Sequence, residues 1–297
     1  MARPPRIEFP GAVYYISARC EAGQQAFADD LDRQGLIDLM AQAMHRFDAQ
    51  VLAYSLLQDH YHLLLYTRAA NLSRLMRHLN GVYTQHHNRR HGGNGELFHG
   101  RFKALVVDRD RYLLDACRYV ELNPLRMGLV KAVEAWPWSS YRAHIGLEAA
   151  PDWLDTEGLW RYVAGQALNS AADRRRAAQR YAKLVAAEPD LQLWPGQVQR
   201  QIFLGDAAFA RRMLAQHAAA VPTARPAPLG SRTKAKANRL DWAHWLRGSA
   251  SREQALYRAH TEGGYAMTAL AQQLDLSVSR ISRLVALYER AMKAGST

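Results

Sequence analysis

Two β-prone runs separated by only two residues constrain this chain more than any other feature. Residues 50–57 and 60–67 are rich in branched and aromatic side chains, with Gln58-Asp59 between them. So short a connection joins strands only as an antiparallel hairpin, because a parallel crossover needs a dozen residues or more. The flanking segments extend this start. Residues 12–20, Ala-Val-Tyr-Tyr-Ile-Ser-Ala-Arg-Cys, follow Pro10-Gly11 and read as a first strand. Residues 31–47 carry Leu36, Ile37, Leu39, Met40, Met44 and Phe47 at helical spacing. Asn71 is placed to cap a helix running to about Arg90, with Leu72, Leu75, Met76 and Leu79 turned inward. A strand over 104–107 and a helix from Asp108 or Asp110 through Asn123, ended by Pro124, complete the pattern. Strand, helix, hairpin, helix, strand and helix predict an α+β domain with an antiparallel centre. The segment Trp136-Pro137-Trp138-Ser139-Ser140-Tyr141 is expected to fold back and close it.

The hairpin's second strand also carries candidate chemistry. It reads His60-Tyr61-His62-Leu63-Leu64-Leu65-Tyr66 after Asp59. Alternate residues of a strand share a face, so His60 and His62 project together. Imidazole ligates metals, yet a pair on a strand is more often a half-exposed surface feature, and two ligands rarely hold a divalent ion. The helix ending at Asn123 offers the rest. Its apolar stripe is Leu113, Ala116, Cys117 and Val120, and Tyr119 and Asn123 stack beside it, four residues apart. Asn123 supplies a carbonyl oxygen for a hard cation, and Tyr119 a phenol as nucleophile. Alone, Tyr119 reads as a packing residue and Asn123 as a turn residue before Pro124. Tyr83 and Tyr112 are rival nucleophiles, Tyr83 expected on the other side of the domain. A mixed imidazole and amide site suits Mg2+ or Mn2+ better than zinc. An incomplete shell leaves room for a phosphate oxygen, as Lewis-acid catalysis of phosphoryl transfer requires.

Charge points to the substrate class. The formal net charge is +12 and the isoelectric point about 9.9, which favours a polyanionic partner such as nucleic acid. Between the histidine strand and the tyrosine helix lie Arg74, Arg77, Arg89, Arg90, Arg101 and Lys103, interleaved with His86, His87, Phe98, His99 and Phe102. Cations for phosphates and rings for bases suit single-stranded DNA. Arg74 and Arg77 read as a solvated helix face, whereas Arg89, Arg90, Arg101 and Lys103 are candidate DNA contacts. No apolar run is long enough to span a membrane. Cys20 and Cys117 alone provide no disulfide framework and suit a reducing cytoplasm.

Beyond residue 150 alanine and arginine dominate, and the chain reads as helical throughout. The expected domains are 1–150 as the catalytic domain, 151–220 as a helical extension, 221–230 as a linker and 231–297 as a helical DNA-binding domain. In the last, Ser251 and Gln254 resemble a capping box and Gly263-Gly264 a break. Helices over 267–274 and 278–290 around Asp275-Leu276-Ser277 have the outline of a helix-turn-helix. Ser277, Ser279, Arg280 and Arg283 would then face the major groove of duplex DNA.

The run His60-Tyr61-His62 resembles the His-hydrophobic-His signature of the HUH endonucleases. The wider pattern is similar to the single-tyrosine transposases, specifically the REP-associated tyrosine transposases. The matching stretches are 59–64, Asn88-Arg89-Arg90-His91-Gly92, Leu97-Phe98-His99-Gly100-Arg101-Phe102-Lys103, residues 118–126 (Arg-Tyr-Val-Glu-Leu-Asn-Pro-Leu-Arg), and Trp138-Ser139-Ser140-Tyr141. They fall in order within residues 8–145; any one alone would be weak. The resemblance implies a ferredoxin-like antiparallel sheet with packed helices, followed here by an all-α extension. It implies cleavage and joining of single-stranded DNA beside hairpin repeats, through a 5′-phosphotyrosine. Tyr119 matches the nucleophile, His60 and His62 the metal-binding histidines, Asn123 the polar residue completing the site; Arg126 joins the expected DNA contacts. A Pro-Asn pair commonly precedes the first histidine in relatives, where this chain has Gln58-Asp59. The expected partner is hairpin-bearing single-stranded DNA, with duplex DNA held by the C-terminal domain and the protein a monomer or homodimer. The competing readings are a non-catalytic DNA-binding regulator that keeps the fold, and an RNA-binding or RNA-processing protein.

Overall fold

The structure is a computed structural model that describes residues 6–21, 23–193, 196–220, 242–261, 265 and 267–294. It divides into two compact units, Met1–Ala224 and Arg225–Thr297. The expected linker at 221–230 and the break at Gly263-Gly264 lie outside the described residues.

In the first unit, β1 (Ala12–Arg19), α1 (Asp30–Phe47), β2 (Ala49–Leu56), β3 (His60–Thr67), α2 (Leu72–His91) and β4 (Lys103–Val107) follow one another. Their sheet order is β2-β3-β1-β4, antiparallel throughout. This is the ferredoxin-like arrangement. Three helix boundaries show the local physics. Asp29 caps α1, accepting from the backbone N–H of Asp32 at 3.1 Å. Asn71 occupies the cap position of α2 but does not cap; its Nδ2 donates instead to the Phe47 carbonyl at 2.8 Å. The expected long tyrosine helix is two pieces, α3 (Arg109–Glu121) and α4 (Asn123–Arg126), joined at Leu122. Pro124 does not stop the helix. It sits in the first turn of α4, where no backbone N–H is required of it.

The sheet separates two cores. Tyr61, Leu63 and Leu65 of β3, with Tyr14 and Ile16 of β1, pack against Leu36, Met40 and Met44 of α1 and Leu75, Met76 and Leu79 of α2. Leu64, with Val13 and Tyr15, packs against Leu113, Ala116, Cys117 and Val120 of α3. The expected stripe of α3 is therefore the buried one. The Trp136–Tyr141 segment does fold back: Leu56 N–H donates to the Trp138 carbonyl at 2.8 Å, and Ser140 N–H to the Tyr54 carbonyl at 3.0 Å. Together with the Val51–Trp153 and Asp155–Val51 backbone bonds it covers the outer edge of β2, which would otherwise stand open.

Past α5 (Tyr141–His144) come α6 (Thr156–Ala164) and α7 (Ala171–Ala187), then β5 (Val198–Gln199), β6 (Phe203–Leu204) and α8 (Ala207–Ala220). The helical reading of this stretch therefore fails over residues 198–204. There β6 adds parallel to β4 and β5 antiparallel to β6, extending the sheet to six strands. The extension also grips α3 through a fully buried carboxylate. Glu121 accepts from Tyr181 of α7 at 2.7 Å, from His144 Nδ1 at 2.6 Å and from Ser140. A buried charge is tolerated only when its lone pairs are satisfied in this way.

The second unit is helical: α9 (Trp242–Arg247), α10 (Arg252–Thr261), α11 (Met267–Leu274) and α12 (Val278–Ala294). Its core gathers Trp245, Leu256, Ala259, Leu270, Ile281 and Val285. The Ser251 hydroxyl accepts from Gln254 N–H at 3.1 Å, as capping demands. The α11–turn–α12 pair turns at Asp275, whose φ is 50°.

Candidate active site

The period of β3 sends its even-numbered side chains to the α3 face. His60 and His62 lie there with ring centroids 4.9 Å apart, 3% and 8% exposed. Each has its Nδ1 engaged. His60 Nδ1 stands 2.5 Å from an oxygen of Asp59, so a carboxylate, which only accepts, fixes the imidazole proton on Nδ1 and leaves Nε2 with its lone pair. Arg19 Nη2, 3.3 Å from that Nε2, and the Arg19–Asp59 ion pair at 3.0 Å complete this edge. His62 Nδ1 pairs with the Tyr15 hydroxyl at 2.6 Å. When the imidazole donates from Nδ1 to the Tyr15 oxygen, Nε2 keeps its lone pair, the arrangement usual for metal-ligating histidine. Burial pushes both imidazoles towards the neutral form. For His60 desolvation outweighs the Asp59 hydrogen bond, and for His62 desolvation is joined by the charges of His60 and Arg126.

The helix side meets this pair through Tyr15. The Tyr15 ring stacks on His62 at 5.5 Å and meets Tyr119 edge-on at 6.0 Å. Burial raises the Tyr15 hydroxyl pKa, so it keeps its proton. Tyr119 is half-buried beside the stripe of α3. Arg126, one turn past Asn123, lays its guanidinium over the Tyr119 ring at 3.9 Å and donates to the Tyr119 carbonyl at 2.6 Å. Asn123 is buried, and its Nδ2 has no hydrogen-bond partner. The two imidazoles and the Asn123 amide oxygen are ligand types that a divalent cation takes, with His60 Nε2 already met by Arg19 Nη2 at 3.3 Å.

The other expected contacts distribute unevenly. Arg89 is exposed on the last turn of α2. Arg90 is held by carboxylates, at 2.5 Å from Asp29 and 2.5 Å from Asp32. Arg101 and Lys103 are exposed and line a cleft of about 710 Å³ along β4 with Arg6, His99, Phe102 and Tyr15. Arg6 covers the Phe102 ring at 3.5 Å, and Phe98 is buried against Tyr61 and Tyr83, so neither ring is presented to a base as expected. His87 packs beside His91 rather than pointing out with His86. Tyr83 is buried on the opposite face and donates to the Ala26 carbonyl at 2.6 Å, which removes it as a nucleophile near the histidines. In the second unit Ser279 lies in α12, and Arg280 and Arg283 are exposed.

Two residues of the site escape sequence reasoning. Tyr15 is diagonal to His62 across the β1–β3 ladder, where Ser17 stands directly opposite. Arg19 is directly opposite His60. Both follow from the register of β1 on β3, which no local pattern specifies.

The histidine pair thus lies on an inner strand of a ferredoxin-like sheet, with Tyr15 between His62 and Tyr119 of the covering helix. Residues 12–123 match the family model described as Transposase IS200 like, so this part of the chain carries the IS200-like transposase resemblance that its motifs imply. No curated protein matches the chain. Two solved structures are similar to it at low scores. One is a REP-associated tyrosine transposase bound to a REP hairpin, with 17% identity and a TM-score of 0.45 over 51% of this chain and 89% of that one. The other is a protein from Deinococcus radiodurans described as a transposase, with 18% identity and a TM-score of 0.29 over 40% of this chain and 96% of that one. No described helix is long and apolar enough to cross a membrane.

Proposed function

We propose that the protein cleaves and rejoins single-stranded DNA at hairpin-forming repeats, with Tyr119 as the nucleophile. The observation that carries this reading is the Tyr15 bridge, which stacks on His62 and meets Tyr119, joining the histidine pair to the phenol. In the reaction the Tyr119 oxygen attacks the scissile phosphorus, its bond to the 3′ oxygen breaks, and a 5′-phosphotyrosine and a free 3′ hydroxyl result. The phenol proton passes to solvent, and the leaving 3′ oxygen takes one up. Rejoining reverses the exchange and needs no nucleotide, because one phosphodiester replaces another. Arg126, over the Tyr119 ring and bonded to the Tyr119 carbonyl, holds the phenol in place. The same guanidinium is the one expected to contact DNA.

His60, His62 and Asn123 would hold Mg2+ or Mn2+. When bound, such a cation polarises the phosphate and fixes its geometry. Asp59 and Tyr15 hold the two imidazoles in ligating orientation. Arg101 and Lys103 bind the backbone of the incoming strand along the β4 cleft, and Arg89 extends that track. Ser279, Arg280 and Arg283 would give the second unit a duplex-binding face.

The test is incubation of the purified chain with a hairpin-bearing oligonucleotide labelled on the 5′-phosphoryl side of the cut, with and without Mn2+. The proposal expects labelled protein that survives denaturation, formed only with the metal. Label released as free DNA with no covalent protein would contradict the tyrosine route. DNA binding with neither product would favour the regulator reading.

A further inference from the structure

A second cluster of metal-ligating side chains lies on the other layer of the first unit. Asp32 stands in the first turn of α1, and His87 and His91 stand four apart near the end of α2. That spacing puts both imidazoles on one helix face. One donor atom from each of the three residues falls within 4.8 Å of the others. The imidazole rings are 4.4 Å apart, and His91 Nε2 lies 3.0 Å from both oxygens of Asp32. Asp32 is buried, and His87 Nδ1 is shut off from solvent with no hydrogen-bond partner. An unsatisfied buried nitrogen costs free energy unless something completes it.

We propose that Asp32, His87 and His91 form a second divalent-cation site, suited to zinc, which pins the start of α1 to the end of α2. Two imidazoles and one carboxylate with a fourth position open are a zinc donor set. The histidine pair on β3 faces α3, whereas this cluster belongs to the α1–α2 layer across the sheet. Burial and the neighbouring His91 push the His87 pKa down. One charge opposes the site: Arg90 shares Asp32 at 2.5 Å. Arg90 also pairs with Asp29 and keeps that partner when the cation takes a share of Asp32.

The position gives the site a consequence. His91 precedes Gly92, whose φ of 68° ends α2 and starts the loop to β4. Asn88 already grips that loop, its Nδ2 donating to the Gly95 carbonyl at 3.0 Å. A cation on His87 and His91 fixes where the loop leaves the helix, and the loop leads to Arg101 and Lys103 at the β4 cleft. The inference stands on these residues alone and is independent of the strand-transfer reading.

The test is equilibrium dialysis against zinc, with metal content measured, on the full chain carrying His60→Ala and His62→Ala so that the strand pair does not contribute. That protein should retain one zinc per chain and melt at a higher temperature with zinc than with chelator. Adding His87→Ala should weaken zinc binding by more than about tenfold, since loss of an outer partner of a ligand alone costs about 10–100-fold. In the same background Arg90→Ala should tighten it. No zinc on the His60/His62 variant, or binding unchanged by His87→Ala with the fold intact by circular dichroism, overturns the proposal and leaves a hydrogen-bonded ion-pair cluster only.

Discussion

The two faces of β3 show what one eight-residue strand does twice. Its odd positions, Tyr61, Leu63 and Leu65, are fully buried in the α1–α2 core and serve stability. Its even positions, His60 and His62, are nearly as buried, yet they lie on the face that carries Tyr15 and the tyrosine helix. Burial as such does not separate the faces. What separates them is whether each desolvated group is completed inside the protein. The apolar face is complete in the folded chain. The polar face carries imidazoles whose pKa values burial depresses, a desolvation cost that a bound cation would offset.

Substitutions on the two faces should break apart in what they affect. Leu63→Ala should lower stability by about 2–5 kcal/mol, as truncations of buried leucine do, with cleavage retained below the new melting temperature; urea titration measures it. His62→Ala should leave the chain folded but cut metal-dependent cleavage by about 100-fold or more, at or beyond the upper end of what loss of a ligand's outer partner costs. Tyr15→Phe keeps the stacked ring and removes only the hydroxyl on His62. It should weaken metal affinity by about 10–100-fold, read by Mn2+ titration. Equal losses of stability from Leu63→Ala and His62→Ala, with no separate effect on cleavage, would erase the distinction between the faces.

The smallest expected effect is on pH dependence. Both imidazoles have folded pKa values below the ordinary value of about 6.5. The unfolded chain therefore takes up protons first on acidification. Stability is full above about pH 6.5 and falls as pH drops from there towards the lower folded values. Melting temperatures between pH 7 and pH 5 should decline, and His62→Ala should flatten the decline. A wild-type curve no steeper than the variant's would contradict the burial argument.

Much of this was legible in the sequence because it depends on local period. The two-residue gap fixes the hairpin, alternation puts His60 beside His62, and the 3.6-residue repeat selects Leu113, Ala116, Cys117 and Val120 as the buried stripe of α3. What depends on pairing between distant segments was not legible. Tyr15 and Arg19 meet the histidines only through the β1–β3 register. Strands as short as β5 and β6 have no periodicity to read, and exist because Val106 and Asp108 N–H groups bond the Ile202 and Leu204 carbonyls. Asn71 has the identity of a cap, yet the Phe47 carbonyl lies within its reach and takes the side chain. Phe98 and His87 looked like rings for bases because basic residues surround them in sequence; in space they turn inward. Glu121, a charged residue in the middle of a matched motif, becomes a buried hub only when Tyr181 arrives from α7.

The central claim is that Tyr119 forms the covalent bond to DNA. The most direct measurement is the yield of denaturation-resistant protein–DNA adduct from a hairpin-bearing single strand with Mn2+, compared between the unmodified chain and Tyr119→Phe. Tyr119→Phe should abolish the adduct while DNA binding, followed by fluorescence anisotropy, stays largely intact. An undiminished adduct in Tyr119→Phe would remove Tyr119 from its role and contradict the account.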